Sequence, residues 1–175
     1  DNSYRAPVDF EYAIAGVYDA QQQLYSGGES WFRTSFIRGD EVRAGSGGTN
    51  ARGISTFTEL SSVPALEYAY QIFWQIINRS NIILDKIEAV EFQNEFQKKH
   101  IKGEAYALRG FAYYTLGWQF GGMPLIDEEI SIGSTLMTPR STQEETIAFA
   151  AEDFRLAASL LPEKWEKENL GRVTK

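Results

Sequence analysis

The stretch that decides the fold is residues 103–125, GEAYALRGFAYYTLGWQFGGMPL. Apolar residues recur in it at three- and four-residue steps as far as Leu116, which is the period of an amphipathic helix. Gly121 and Gly122 follow, and Pro124 comes soon after, so the helix is expected to end at the glycines. Because this helix is apolar on more than one side, we expect it to pack between neighbouring helices.

Outward from this helix, the same periodicity predicts a chain of helices. The longest two are joined by a short turn and form a helical hairpin, which is the unit of stacked α-solenoids. The fold class is therefore predicted to be all-α, with stacked helical hairpins in a TPR-like α-solenoid. For residues 29–38, which are short and rich in aromatics, a strand remains an alternative. Helices are predicted over 8–25, 29–38, 63–89, 92–119 and 141–161, and irregular structure over 39–62, 121–140 and 163–175.

Composition excludes several classes of protein. The 175 residues suit one ordinary domain, and 43% of them are hydrophobic. The net charge of −7 argues against a nucleic-acid partner, which would need clustered Lys and Arg. With no Cys and one His, neither a disulfide nor a metal site is expected. No apolar run approaches the roughly 18 residues of a membrane span.

No arrangement of polar residues predicts catalysis. Glu104 and Arg109 are five residues apart, so they do not face each other on a helix, and each is expected to bond to a neighbouring helix. The adjacent carboxylates at 128–129 and 144–145 do not supply the two converging environments of a general acid and base. His100 follows two lysines and is expected to be solvated. The sequence therefore predicts no catalytic residue and no cofactor.

Glycines and tryptophans on the helices are expected to serve packing. Gly103 and Gly110 each cost a helix about 1 kcal/mol relative to Ala, and close approach of another helix is a reason to accept that cost. Trp31 could stack on a ligand, but burial is the preferred interpretation. Trp74 and Trp118 are both expected to pack.

Five stretches, in this order along the chain, resemble the SusD/RagB family of outer-membrane nutrient-binding lipoproteins. The match covers essentially the whole chain, which is similar to the N-terminal part of a longer protein and is predicted to be one incomplete helical domain over 1–175. The stretches are WQIINRSNIIL at 74–84, the helix at 103–116, FGGMPL at 120–125, residues 139–162 with their closing LLP, and GRVTK at 171–175.

The resemblance implies a non-catalytic binding function. The parent protein would be lipid-anchored on the extracellular face of the outer membrane, through an N-terminal Cys that this chain lacks. It would cover a SusC-like TonB-dependent transporter and help to load oligosaccharides or polysaccharides, with no organic cofactor. Two alternatives stay open: a TPR-like protein–protein scaffold without saccharide affinity, and a helical glycosidase, for which the sequence offers no pair of converging acids. An uncovered apolar face is also expected to cause dimerisation or low stability.

The glycine-rich loop at 39–62 is the predicted binding surface. Loops of this length inside a compact domain are usually functional or mobile, and the resembling family places part of its glycan site in the corresponding loop. Guanidinium, carboxylate and amide groups can hydrogen-bond sugar hydroxyls, and an aromatic ring can lie under a pyranose. A local salt bridge that orders the loop is the alternative for its charged residues. The predicted ligand-binding residues are Arg38, Asp40, Arg43, Asn50, Arg52 and Phe57.

Overall fold

The computed structural model describes residues 4–26, 31–42, 49–59, 63–129 and 138–175, and within these residues it is all-α. The expected fold class is therefore confirmed, and the aromatic segment forms a helix, not the alternative strand. Short 3-10 turns lie at Ile87–Ala89 and Lys167–Asn169. The α-helices are α1 (Pro7–Gln23), α2 (Trp31–Phe36), α3 (Thr49–Ser55), α4 (Pro64–Lys86), α5 (Glu95–Phe120) and α6 (Gln143–Leu160).

Helix α5 is the centre of the domain and packs against α1, α4 and α6. The main core forms where α1, α4 and α5 meet, and its largest side chains have no access to solvent. Burial of each such side chain contributes about 1.5–3 kcal/mol to the free energy of unfolding. Among them are Phe10, Phe73, Ile76, Leu108 and Tyr113.

The contact between α5 and α6 runs along glycines of α5. A Cβ added to Gly103 would lie 2.8 Å from the Leu161 side chain, and one added to Gly110 would lie 3.1 Å from the carbonyl oxygen of Ala150. The partner residue numbers fall as those on α5 rise, so the two helices are antiparallel. The predicted close approach of a second helix is confirmed.

Two buried polar networks connect the helices. They are formed by Arg109 and Glu104, each of which was expected to bond to a neighbouring helix. The guanidinium of Arg109 donates to Asp153 of α6 and to Asn81 of α4. The carboxylate of Glu104, which is fully buried, accepts hydrogen bonds from Tyr18 of α1 and from Arg172. Both residues therefore join helices that are distant in the sequence.

The predicted irregular tail at 163–175 is folded back onto α1 and α5. The amide of Val173 donates to the hydroxyl of Tyr18 at 3.0 Å, and the Trp165 indole donates to the Val173 carbonyl at 2.7 Å. His100 packs edge-on against Trp165, with 4.9 Å between ring centroids. His100 is half-buried, so the expectation of a solvated histidine is wrong, and this burial lowers the pKa of His100 from its ordinary value.

Two other expectations are also wrong. The predicted loop at 39–62 contains α3, which forms because its Ile54 packs with Ile37 and Val63 in a small core of its own. Trp118 is 63% exposed, although it was expected to pack, and Phe96 near the start of α5 is 71% exposed. Gly117 makes the contact with α6, so the next residue, rotated about 100° around the helix, is turned outward.

Candidate functional site

A cleft of about 470 Å³ opens where the start of α4 meets the end of α5. The two helices form an antiparallel hairpin, so residues at the first turns of α4 lie beside residues at the last turn of α5. The chain between α2 and α3, and the chain after α3, complete the wall. The lining residues are Arg38, Glu59, Leu66, Glu67, Tyr70, Gln119 and Phe120.

One wall of the cleft is aromatic. Tyr70 and Phe120 meet edge to face, with 5.4 Å between ring centroids. Gly121, with φ +82°, ends α5 immediately after Phe120 in a conformation that favours glycine. Arg140 donates to the Phe120 carbonyl at 2.6 Å and so holds the end of the helix in place. The aromatic wall is thus supported from behind by backbone contacts.

The opposite wall carries a charged pair. Arg38 forms a close ion pair with Glu59, and their side chains are 32% and 16% exposed. The Nε atom of Arg38 is buried and has no hydrogen-bond acceptor within the described residues. The pair therefore presents a guanidinium and a carboxylate, fixed against each other, to anything that enters the cleft.

Phe57 lies against this pair from outside. Its ring centroid is 5.7 Å from Cζ of Arg38, and the side chain is 70% exposed. The residue has φ +56°, a left-handed conformation that costs a bulky residue roughly 1–2 kcal/mol. Strained residues of this kind cluster at functional sites. An exposed aromatic ring held in a strained backbone beside a cleft suits a ligand platform.

The structure brings together two of the six predicted ligand-binding residues, Arg38 and Phe57. Arg52 is exposed on α3, where its carbonyl accepts hydrogen bonds from two hydroxyl groups, and Asp40 is exposed in the turn after α2. Asn50 lies in α3, but its side chain is outside the described part of the structure, as is Arg43 altogether. Arg38 does form a loop-ordering ion pair, although with Glu59. All six assignments stay predictions.

The cleft also contains residues that sequence reasoning missed. Tyr70 lies on a helix whose periodicity suggested a core position. Phe120 was expected to follow the helix that was predicted to end at 119, and Gln119 gave no signal. Glu59 was within the predicted loop, but its position in the sequence does not indicate that it meets Arg38. Glu67 is in the first turn of α4, where an acidic residue is explained by the helix dipole.

The described residues hold no candidate metal centre. Among them, no group of three or more His, Cys, Asp or Glu could hold a metal ion. The buried Arg109 network is filled by its own partners. Burial raises the pKa of Asp153, whereas the bidentate guanidinium of Arg109 opposes that change. No helix in the described ranges has both the length and the apolarity needed to cross a membrane.

Comparison with known proteins shows which family the chain matches. A family model for SusD-like proteins, described as starch-binding and associating with the outer membrane, matches residues 3–175. SusD-like protein P38 of Formosa agariphila is 26% identical over 157 residues, which are 88% of this chain and 30% of that protein. A second SusD-like protein of the same organism, P2, is 25% identical, and the match covers 93% of this chain and 33% of that protein.

Solved structures share the fold. A laminarin-binding SusD-like protein superposes with a TM-score of 0.83 and 24% identity, covering 97% of this chain and 37% of the other. A SusD superfamily protein from Bacteroides vulgatus gives a TM-score of 0.84 and 24% identity, covering 99% and 38%. The chain thus spans about a third of the length of the relatives that it matches.

Proposed function

This chain belongs to the SusD-like family, and we propose that it contributes a glycan-binding surface to a non-catalytic nutrient-binding protein. The cleft between α4 and α5 is the proposed binding surface. The observation that carries the proposal is the exposed ring of Phe57 against Arg38, whose ion pair with Glu59 lines the cleft. Sugar rings bind well to such a combination, because their C–H faces lie on aromatic rings and their hydroxyls bond to fixed charged groups.

The proposal includes no reaction. Glycoside hydrolysis needs two carboxyl groups on either side of one bond, in environments that separate their pKa values. In the cleft, the carboxylate of Glu59 is committed to Arg38, and that of Glu67 is bonded by the side chain of Gln71 at 3.3 Å. Both carboxylates are therefore already engaged by neighbouring side chains.

The cellular location and the transporter partner of the parent protein are also part of the proposal. By family membership, it would be a lipoprotein on the extracellular face of the outer membrane. It would pass oligosaccharides to a SusC-like TonB-dependent transporter. The helices away from the cleft would contact the transporter or support the remainder of the protein.

A protein-binding scaffold is the second candidate function. It is favoured by a group of exposed aromatic side chains on the outer face of α5 and α6. Tyr114 lies 6.2 Å from Trp118 and 6.5 Å from Phe154, measured between ring centroids. A depression of about 400 Å³ beside Trp118 is floored by the apolar side chains of Ile147, Ala148 and Ala151. Exposed apolar patches of this kind commonly mark protein interfaces.

The test is affinity electrophoresis of the chain in gels that contain laminarin or starch, followed by a neutral glycan array. Phe57→Ala is the test variant and Phe96→Ala the matched control, since both rings are about 70% exposed. We expect wild type and the control to be retarded alike, and Phe57→Ala to bind about three- to tenfold more weakly. Equal losses at positions 57 and 96 would remove the cleft from the proposal. Absence of binding to every glycan would favour the scaffold.

A further inference from the structure

We infer that the cleft selects uncharged glycans and discriminates against glycans that carry carboxylate or sulfate groups. This inference rests on the proposed function and narrows the class of its ligand. It is drawn from the balance of charges in the cleft wall, which the family comparison does not address. Saccharides with and without acidic groups are both abundant, so the distinction decides what the protein can capture.

The lining of the cleft has one cation and two carboxylates. Arg38 is the cation, and Glu59 neutralises it through their ion pair. Glu67 is exposed on the first turn of α4 and faces the same space. Within the described residues that line the cleft, the net charge is therefore −1, and the exposed Glu67 carries it.

The chain that flanks the cleft does not reverse this balance. Asp40 and Glu41 are exposed in the turn after α2, and Arg52 is exposed on α3. With Arg43 counted from the sequence, and with Arg140, which donates to the carbonyl of Phe120, four arginines stand against four carboxylates around the cleft. The arginines are at 38, 43, 52 and 140, and the carboxylates are at 40, 41, 59 and 67. An acidic ligand would meet repulsion at the cleft and more repulsion from the whole chain, whose net charge is −7.

The ion pair can serve neutral ligands without losing its own partner. Hydroxyl groups donate to a carboxylate and accept from a guanidinium, so one sugar can bond to both members while Arg38 and Glu59 stay together. A carboxylate or sulfate group on a glycan has acceptor oxygens only. It can accept from Arg38 but cannot donate to the carboxylate of Glu59, and its own negative charge would lie close to that carboxylate.

The test uses matched pairs of polymers that differ only in charge. Laminarin and starch are each compared with a derivative whose C6 hydroxymethyl groups have been oxidised to carboxylates. Binding of the chain is measured by affinity electrophoresis and by calorimetry, at about 20 mM and at about 500 mM NaCl. High salt screens repulsion between exposed charges.

We expect the neutral form to bind at least about tenfold more tightly than its oxidised form at low salt, and the gap to narrow at high salt. Glu67→Lys should reduce the preference about fivefold or more, and Glu67→Gln should reduce it by a smaller factor. Glu91→Lys is the control, because it makes the same change of charge near the opposite end of α5, roughly 40 Å from the cleft. Circular dichroism checks that each variant is folded.

The outcomes separate the two proposals. Tighter binding of the oxidised polymers, or equal binding at low salt, would overturn the inference and leave glycan binding intact. An equal effect of Glu91→Lys and Glu67→Lys would also overturn it, since the charge of the whole chain would then set the preference. Failure to bind any polymer, neutral or oxidised, would overturn glycan binding and the inference together.

Discussion

Arg109 of α5 and Asp153 of α6 share two parallel hydrogen bonds of 2.8 Å, from Nε to Oδ2 and from one terminal nitrogen to Oδ1. Their side chains are 6% and 3% exposed. The other terminal nitrogen of Arg109 donates to Asn81 at 2.8 Å, and the amide of Asn81 donates to the carbonyls of Ile126 and Glu128. The pair therefore connects α4, α5, α6 and the chain that follows α5.

Removal of one partner should destabilise the fold strongly. Asp153→Ala leaves the guanidinium of Arg109 buried without its anion, and we expect the free energy of unfolding to fall by about 3–5 kcal/mol in urea titrations. Glu152→Ala is the matched control, since it breaks an exposed ion pair with Arg155 and should cost at most about 1 kcal/mol. Equal losses at the two positions would contradict a structural role for the buried pair.

The glycine pair after α5 should tolerate no side chain at its second position. A Cβ on Gly122 would lie 1.8 Å from the carbonyl oxygen of Ser141, so Gly122→Ala must displace backbone and should cost about 3 kcal/mol or more. Gly16→Ala on α1 meets nothing within 4 Å and should stabilise by about 0.5–1 kcal/mol, because Ala favours the helix. Thermal unfolding of both variants checks that the first change lowers the stability and the second raises it.

The left-handed backbone at Phe57 should reverse the usual order of stability of Ala and Gly variants. At φ +56° glycine is less strained than alanine, so Phe57→Gly should be more stable than Phe57→Ala by about 1 kcal/mol. At Phe96, inside α5, the order should be opposite by a similar amount. Both changes at position 57 should weaken glycan binding alike. Greater stability of Phe57→Ala would show that the conformation at this residue is not strained.

Alkaline pH should destabilise the protein through Tyr113. Burial raises the pKa of Tyr113 to about 12 from an ordinary value of 10. A raised pKa means that the stabilisation is fully present below pH 10 and is lost as the pH rises through 12. The loss approaches roughly 3 kcal/mol. Tyr113→Phe lacks this titration, so the difference in unfolding free energy between wild type and variant should shrink from pH 9 to pH 12. A constant difference over that range would be inconsistent with a raised pKa of Tyr113 in the folded protein.

Arg172 should control whether the tail at 163–175 stays attached. Its guanidinium bonds to the buried Glu104 and stacks 4.8 Å from the Trp165 ring centroid. Arg172→Ala should therefore speed hydrogen exchange of the Val173 amide at least about tenfold. Lys175→Ala, which removes only an ion pair 4.0 Å long between exposed groups, should leave that exchange unchanged. Unaltered protection in Arg172→Ala would mean that packing alone holds the tail.

The sequence by itself determined the helices and the way α5 is packed. Apolar residues at three- and four-residue steps define which segments are helical, because the period of the backbone is local. Glycines inside α5 indicated a close neighbour, and Glu104 and Arg109 were recognisable as structural because their spacing prevents them from facing each other. Thr142 directly precedes α6, where Ser and Thr are favoured caps, and its hydroxyl accepts from the Glu145 amide.

Only the tertiary structure decided which faces are covered and which distant residues meet. Phe96 belongs to the periodic apolar stripe of α5 and yet is exposed, since a local period does not say whether a neighbour lies opposite. The cleft joins Arg38, Glu59 and Phe120 from three separate parts of the chain. Contacts between residues so far apart depend on how whole helices pack, which the local pattern of side chains does not encode.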